Sequence, residues 1–287
     1  MIERLLVVGV GLIGGSFALA LKSAGVVRQV VGVGRTQGSI ARALEMGVVD
    51  AIGTDASVVR GADLVLLAMP VGQTREVMHA LAPHLDGSTV VTDAGSTKRD
   101  VVEHAHAELA GSLDRFVPAH PIAGAEHSGV GAASAKLYIG RKVVLTPLAQ
   151  NSERAVALVR QAWEACGALV QSMQPEQHDA VFAQVSHLPH VLAYALVDEV
   201  ANHPDAARLF EFAASGFRDF TRIASSHPEM WRDICMSNRD ALLEALGRYQ
   251  EGLVRMRALL EAGDARGMED IFERARAARN RWLEALK

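Results

Sequence analysis

Cysteine is nearly absent from the 287-residue chain: Cys166 and Cys235 stand alone. They are too few and too far apart for a disulfide framework or for paired C-x-x-C zinc ligands, and they read as buried thiols of a reducing compartment. No basic tract interrupts the sequence, and 29 lysines and arginines against 33 acidic residues leave a net charge of −4. That balance argues against nucleic acid as a partner, and a small anionic ligand would have to be met by local positive charge. The opening residues, M-I-E-R-L-L-V-V-G-V, lack the basic segment and cleavage pattern of a signal peptide, and no apolar stretch is expected to reach the ~18 residues of a membrane span. The expectation is a cytoplasmic protein without membrane attachment. Its 49% hydrophobic residues suffice for a substantial core in one large domain or two.

What the sequence does contain begins with V-V-G-V-G-L-I-G-G-S at residues 7–16. Residues 5–8 are apolar and partly β-branched, as in a buried parallel strand, and residues 17–21 continue as a helix, so the glycines occupy a strand-to-helix turn. A dinucleotide fingerprint requires this context. Gly9 permits the tight turn, Gly11 lets the backbone approach a pyrophosphate, and Gly14 lets the helix pack on the strand. Gly9, Gly11, Leu12, Ile13 and Gly14 are therefore candidate cofactor-binding residues, with the phosphates against free N–H groups at a positive helix end.

A second strand at residues 29–33 ends at Gly34-Arg35-Thr36, twenty residues beyond Gly14. An acidic residue here would accept hydrogen bonds from the ribose hydroxyls, whereas a small residue followed by arginine leaves room and charge for a 2′-phosphate. Arg35 and Thr36 thus favour NADP over NAD, the alternative being a solvent-exposed arginine in a loop. Further strands at 62–70 and 88–92, alternating with helices at 73–81 and 97–109, give the rhythm of a doubly wound parallel sheet, whose ligands gather at the strands' carboxyl ends.

Two segments leave those ends with reactive side chains. D-A-G-S-T-K (93–98) exposes Ser96 on a turn, where Asp93 or Ser96 could also simply cap the following helix. V-P-A-H-P-I-A-G-A-E-H-S-G (117–129) places His120 before a proline in a stiff loop, and on its own terms His120 is open between a structural hydrogen bond and catalysis. Strand 142–146, helix 152–166 and strand 168–172 follow. After Pro175 the β signals stop, which sets a boundary between an α/β domain at 1–174 and an all-α domain at 175–287, with helices at 176–200, 238–260 and 264–286. Three polar clusters interrupt these helices: S-H-L-P-H (186–190), F-R-D-F-T-R-I-A (217–224) and H-P-E-M-W-R-D (227–233). No H-E-x-x-H accompanies the histidine pair, so no metal site is expected, and the arginines read as anion binders.

Taken in order, G-V-G-L-I-G-G-S, D-A-G-S-T-K, H-P-I-A-G-A-E-H-S-G, S-H-L-P-H, D-F-T-R-I-A and M-W-R-D closely resemble the prephenate dehydrogenases, the tyrosine-biosynthesis family that includes arogenate and cyclohexadienyl dehydrogenases. The resemblance spans nearly the whole chain; the glycine turn is shared with many folds, the combination of the others is specific. It implies a Rossmann-type domain followed by a helical substrate and dimerisation domain, and oxidative decarboxylation of prephenate with hydride passing to NADP or NAD. It casts His120 as acceptor of the substrate's hydroxyl proton and Ser96 as the residue that orients His120 or that hydroxyl together with the nicotinamide. Arg222 would grip the ring carboxylate, His190 and Trp231 would help form the substrate pocket, and Glu126 would sit close by, able to pair with Arg222. The family layout also implies a homodimer. No regulatory extension or fused mutase segment is expected, and tyrosine inhibition would then be expected to act at the active site.

A β-hydroxyacid dehydrogenase, the nearest rival layout, uses a lysine on the first long helix of its second domain, and no lysine stands between Lys142 and Lys287. A non-catalytic NADP-binding sensor would not need His120, Ser96 and Arg222 together. Nothing in the sequence chooses between the pyruvyl group of prephenate and the alanyl group of arogenate, and prephenate is the first expectation.

Overall fold

The computed structural model describes residues 1–125 and 127–285. Its first strand, β1 (Ile2–Val8), shows why the sheet forms. Apolar residues occupy both of its faces, so Leu5 and Val7 enter one hydrophobic layer while Leu6 and Val8 enter the other. Such a strand must be covered on both sides. With β2 (Val27–Val33), β3 (Ala51–Ile52), β4 (Leu64–Leu67), β5 (Val90–Asp93) and β6 (Phe116–Val117) it makes a parallel sheet in the order β3-β2-β1-β4-β5-β6. One layer is closed by α1 (Leu12–Ser23) and α5 (Glu153–Ala165), whose Phe17 and Trp163 rings lie 4.5 Å apart. The other takes Met78 from α3 (Thr74–Leu81) and Val101 from α4 (Arg99–Glu108). Each fully buried side chain of this size contributes about 1.5–3 kcal/mol. Between β2 and β3, α2 (Gln37–Glu45) buries Ile40 and Ala43.

Pro118 alone separates β6 from β7 (Ala119–Pro121), and there the chain leaves the large sheet. β7 pairs antiparallel with β8 (Lys142–Leu145), which runs parallel to β9 (Leu169–Ser172). His120, expected on a loop beyond a strand, instead sits within this three-stranded sheet, opposite Val144.

Beyond Pro175 the described structure is helical. α6 (Pro175–Phe182) passes through a π-helical turn, Ala183–His187, into α7 (Leu188–Ala201). Pro189 is accommodated in the first turn of α7, directly after the π turn. The continuous stretch Pro175–Ala201 spans 27 residues and is long and apolar enough to cross a membrane by length and composition, contrary to the expectation that no such stretch exists. Its His178, Asp179 and His187 are nonetheless buried inside the protein. α8 (Ala206–Glu211), α9 (Ser215–Thr221), α10 (Pro228–Ser237), α11 (Arg239–Glu261) and α12 (Ala265–Glu284) complete the chain.

Strands end at Ser172 and helices take over at Pro175, yet the most compact division falls later, into Met1–Arg239 and Asp240–Lys287. The helices up to α10 thus belong to the same compact unit as the sheets. In the second unit Asp264 caps α12 by accepting the Gly267 N–H at 2.9 Å.

Candidate active site

At the carboxyl end of β1 the glycine turn has the shape its sequence requires. Gly9 has φ +94°, and a Cβ there would lie 2.7 Å from the Ala68 backbone. At Gly14 a Cβ would lie 2.8 Å from Val7 Cγ1 and closer still to the Gly9 carbonyl oxygen. Gly11, the N-cap of α1, meets nothing within 4 Å at its Cβ position. That open face is next to Leu12 and Ile13, whose N–H groups lie in the first helical turn and have no intrahelical acceptor. The turn therefore fits a pyrophosphate.

At the end of β2, Arg35 and Thr36 are exposed. Thr36 Oγ1 donates to Ser39 Oγ at 2.8 Å. The Arg35 guanidinium has no hydrogen bond or ion pair among the described residues, which leaves it able to take an anion.

Residues 93–98 form a buried knot. Asp93 Oδ1 accepts the Ala119 N–H at 3.0 Å and Oδ2 accepts the Gly95 N–H at 2.8 Å; Oδ2 also accepts from the Lys98 ammonium, in an ion pair sealed from solvent. Asp93 thus fixes the backbone beside His120. Neither Asp93 nor Ser96 caps α4. Its cap arrives from α6: Asp179 Oδ1 accepts the Lys98 N–H at 2.8 Å and Oδ2 the Arg99 N–H at 2.9 Å.

Asp179 continues into a line of rings. His178 Nδ1 lies 2.8 Å from Asp179 Oδ1, and His178 Nε2 lies 2.8 Å from His120 Nδ1. His120 is 9% exposed, and Phe182 packs 4.8 Å from its ring. Its Nε2 has no partner among the described residues and, unlike His187 Nε2, is not sealed from solvent. Burial pushes the His120 pKa well down, aided by His178, Lys98 and His187. Burial and Lys98 likewise push His178 down to about 2. Both imidazoles are neutral near neutral pH.

Ser96 is half-buried on the same loop, but no hydrogen bond joins it to His120, and its hydroxyl is without a partner among the described residues. The ring that holds His120 is His178, which the sequence did not single out. The adjacent pair His178-Asp179 at the start of a helix is the only local sign, and nothing in the sequence ties it to a residue 58 positions earlier. Asn238, equally inconspicuous, donates to the Asp179 carbonyl at 2.8 Å and contacts His187 Nδ1 at 3.0 Å, closing α10 onto the long helix.

The rings of His190 and Trp231 stack at 3.5 Å with planes 18° apart. His190 Nδ1 is engaged by the Ser186 carbonyl at 2.9 Å. Its pKa is lowered by burial and then by the Arg222 charge, which places Arg222, the first residue of the turn after α9, in electrostatic reach of this stack. Trp231 packs on Val71, in the turn leaving β4, so the stack joins the helices to the ligand end of the sheet. Glu126 lies outside the described residues. Among those described, no group of three His, Cys, Asp or Glu could hold a metal ion.

Residues 17–172 match the model of the prephenate dehydrogenase nucleotide-binding domain, and residues 174–274 that of the prephenate dehydrogenase dimerization domain. The chain is 36% identical to the prephenate dehydrogenase of Bacillus subtilis, over 98% of its own length and 76% of the relative's. It is 35% identical to the cyclohexadienyl dehydrogenase of Zymomonas mobilis, over 96% and 95%. The crystal structure of prephenate dehydrogenase from A. aeolicus, in complex with hydroxyphenyl propionate and NAD+, superimposes with a TM-score of 0.92 at 36% identity, covering 98% of each chain. Matched by both family models and by these relatives over nearly its full length, the chain belongs to the prephenate dehydrogenase family.

Proposed function

We propose that the protein catalyses the NAD(P)-dependent oxidative decarboxylation of prephenate to 4-hydroxyphenylpyruvate, with His120 as the base. The observation that carries this reading is the placement of His120, held at Nδ1 by His178 and accessible at Nε2, where burial pushes its pKa well down. A dinucleotide held by its pyrophosphate at the glycine turn would supply the hydride acceptor through its nicotinamide. His120 Nε2 takes the proton of the ring hydroxyl as that carbon loses hydride, and returns it to the phenol oxygen once the ring carboxylate has left as CO2. The ring becomes aromatic and no net proton is released. Neutral imidazole suits this exchange. Arg222 and His190 would meet the substrate's carboxylates, Trp231 would support His190, and Ser96 would offer its unpartnered hydroxyl to the substrate hydroxyl or to the nicotinamide.

His120→Asn tests the reading, because asparagine keeps a hydrogen bond but cannot take a proton. Turnover, followed as prephenate-dependent NAD(P)H formation, is expected to fall by roughly 10²–10⁴-fold, with KM within a few fold. Retained turnover would overturn it. Arogenate, measured in parallel, is the alternative substrate, since the Zymomonas mobilis relative is a cyclohexadienyl dehydrogenase.

The finer cofactor reading is NADP in preference to NAD. It rests on Arg35, which has no acidic partner among the described residues, beside the small Gly34. Arg35→Ala is expected to weaken NADP binding by about 1–3 kcal/mol, the scale of a charge-assisted contact, and to leave NAD nearly unchanged. Equal losses for both cofactors would refute it. We place this activity in the cytoplasm and in a homodimer, the latter supported by the dimerization domain at residues 174–274.

A further inference from the structure

We propose that His178, anchored by Asp179, is a positioning residue that fixes His120 in the Nδ1–H tautomer and so keeps the Nε2 lone pair directed to the substrate's hydroxyl. This rests on the role of His120 proposed above. The direction of the hydrogen bonds follows from the far end of the line. Asp179 receives two backbone N–H groups, one on each oxygen, at the N-terminus of α4. Burial raises its pKa against the opposing pull of those N–H groups and the Lys98 ammonium, and the N–H accepted by each oxygen is the geometry of an ionised carboxylate. A carboxylate only accepts, so His178 must donate from Nδ1. Neutral His178 then has no proton on Nε2 and can only accept there. His120 must therefore donate from Nδ1, and its remaining nitrogen is left as a base.

The charges around the line favour the same state. Burial first, and then the nearby Lys98 ammonium, push both imidazoles down, so neither ring is protonated at rest. His187 adds no reversal: its own Nδ1 faces Asn238, and burial holds it neutral. Phe182 packs on both rings at 4.8 and 4.4 Å, which leaves His178 little freedom to turn over and present its other nitrogen. When His120 takes up the substrate's proton, the same line places an acceptor nitrogen and then a carboxylate behind the new imidazolium. The arrangement has the logic of an oriented base, in which a third group selects the tautomer.

Asp179 is a poor residue to mutate because it also caps α4; His178 is the better probe. The experiment uses the full chain labelled with 15N-histidine, and the His120 resonance is identified by its loss in His120→Asn. In the wild type, His120 Nδ1 is expected to show the shift of a protonated ring nitrogen and Nε2 that of an unprotonated one. His178→Gln keeps a side-chain oxygen able to accept from His120, and is expected to preserve this pattern and to hold kcat within about fivefold of wild type. His178→Leu removes the acceptor: the two His120 nitrogens are expected to average, kcat to fall by roughly 10²-fold, and KM and cofactor affinity to stay within a few fold. Wild-type His120 protonated on Nε2, or a folded leucine variant that keeps both tautomer and kcat, would overturn the positioning role. So would a folded glutamine variant that loses the tautomer as completely as the leucine variant. Should leucine fail to fold, the wild-type spectrum and the glutamine variant still decide. These outcomes are distinct from a failure of the base itself, which would appear as retained turnover in His120→Asn whatever the tautomer.

Discussion

As the proposed base, His120 would work only as neutral imidazole, and its surroundings set the pH at which it ceases to be neutral. Burial is the largest influence, with His178, Lys98 and His187 adding to it, and all four push the pKa down. The acidic limb of kcat/KM is therefore expected below the ordinary histidine value of about 6.5, and to disappear in His120→Asn. A limb at or above that value would place the titrating group elsewhere. Arg222 carries the proposed substrate contact instead. It lies within electrostatic reach of His190, and a charge-assisted bond to one carboxylate contributes about 1.5–3 kcal/mol. Arg222→Ala should accordingly raise KM for prephenate roughly 10- to 100-fold while the affinity for NAD(P) stays intact. Unchanged saturation by substrate would show that the carboxylate is held by another group, with Arg218 the next to examine.

At the scale of elements, the helix from Pro175 to Ala201 concentrates the unusual chemistry. It carries His178, Asp179, His187 and His190, three of them fully buried, and it is joined to α4 through Asp179 and to Asn238 through both Asp179 and His187. Buried neutral histidines make its docking sensitive to acid. His187 is pushed down to about 4, chiefly by burial, whereas in the unfolded chain it titrates near the ordinary value of about 6.5. Between those values the unfolded state binds a proton that the native state does not. Stability is thus full above about pH 6.5 and falls toward pH 4, by about 1.4 kcal/mol per pH unit for this one residue. Urea unfolding of His187→Asn, compared with wild type at pH 7.5 and 5, should show a correspondingly smaller loss in the variant. An equal loss would assign the acid sensitivity to other groups.

The same helix marks the limit of what the sequence makes legible. The glycine turn could be read because its strand, its three glycines and its helix are contiguous; His190 and Trp231 could be singled out because both stand in motifs of a family, but their stacking could not. His178 could not be read. Its meaning lies in a ring 58 residues away, brought near by a sheet of three short strands, of which β7 has only three residues and no periodicity to detect. The cap of α4 was hidden for the same reason: a carboxylate from another helix replaces the local Asp93 or Ser96 that the sequence offered. Local patterns specify elements; contacts between distant elements complete the site.

At the scale of the whole molecule, apolar surface points to a second copy of the chain. In the unit that begins at Asp240, Leu253, Val254, Leu260, Phe272 and Trp282 are each between 48% and 67% exposed. Met256 and Leu259, which complete the stripe on α11, are half-buried. A pair of helices that leaves so much of its apolar surface in water would gain by covering it, at about 25 cal/mol for each Å² removed from solvent. A symmetric partner presents the same face, which makes the contact self-complementary. Light scattering at micromolar concentration should give a mass near twice 30.7 kDa. Replacing Leu253 and Leu260 with glutamate would put like charges on both sides of a two-fold contact and should lower the mass toward that of one chain. A monomeric wild type, or a doubly substituted protein that remains dimeric, would show that this stripe is not where the copies meet.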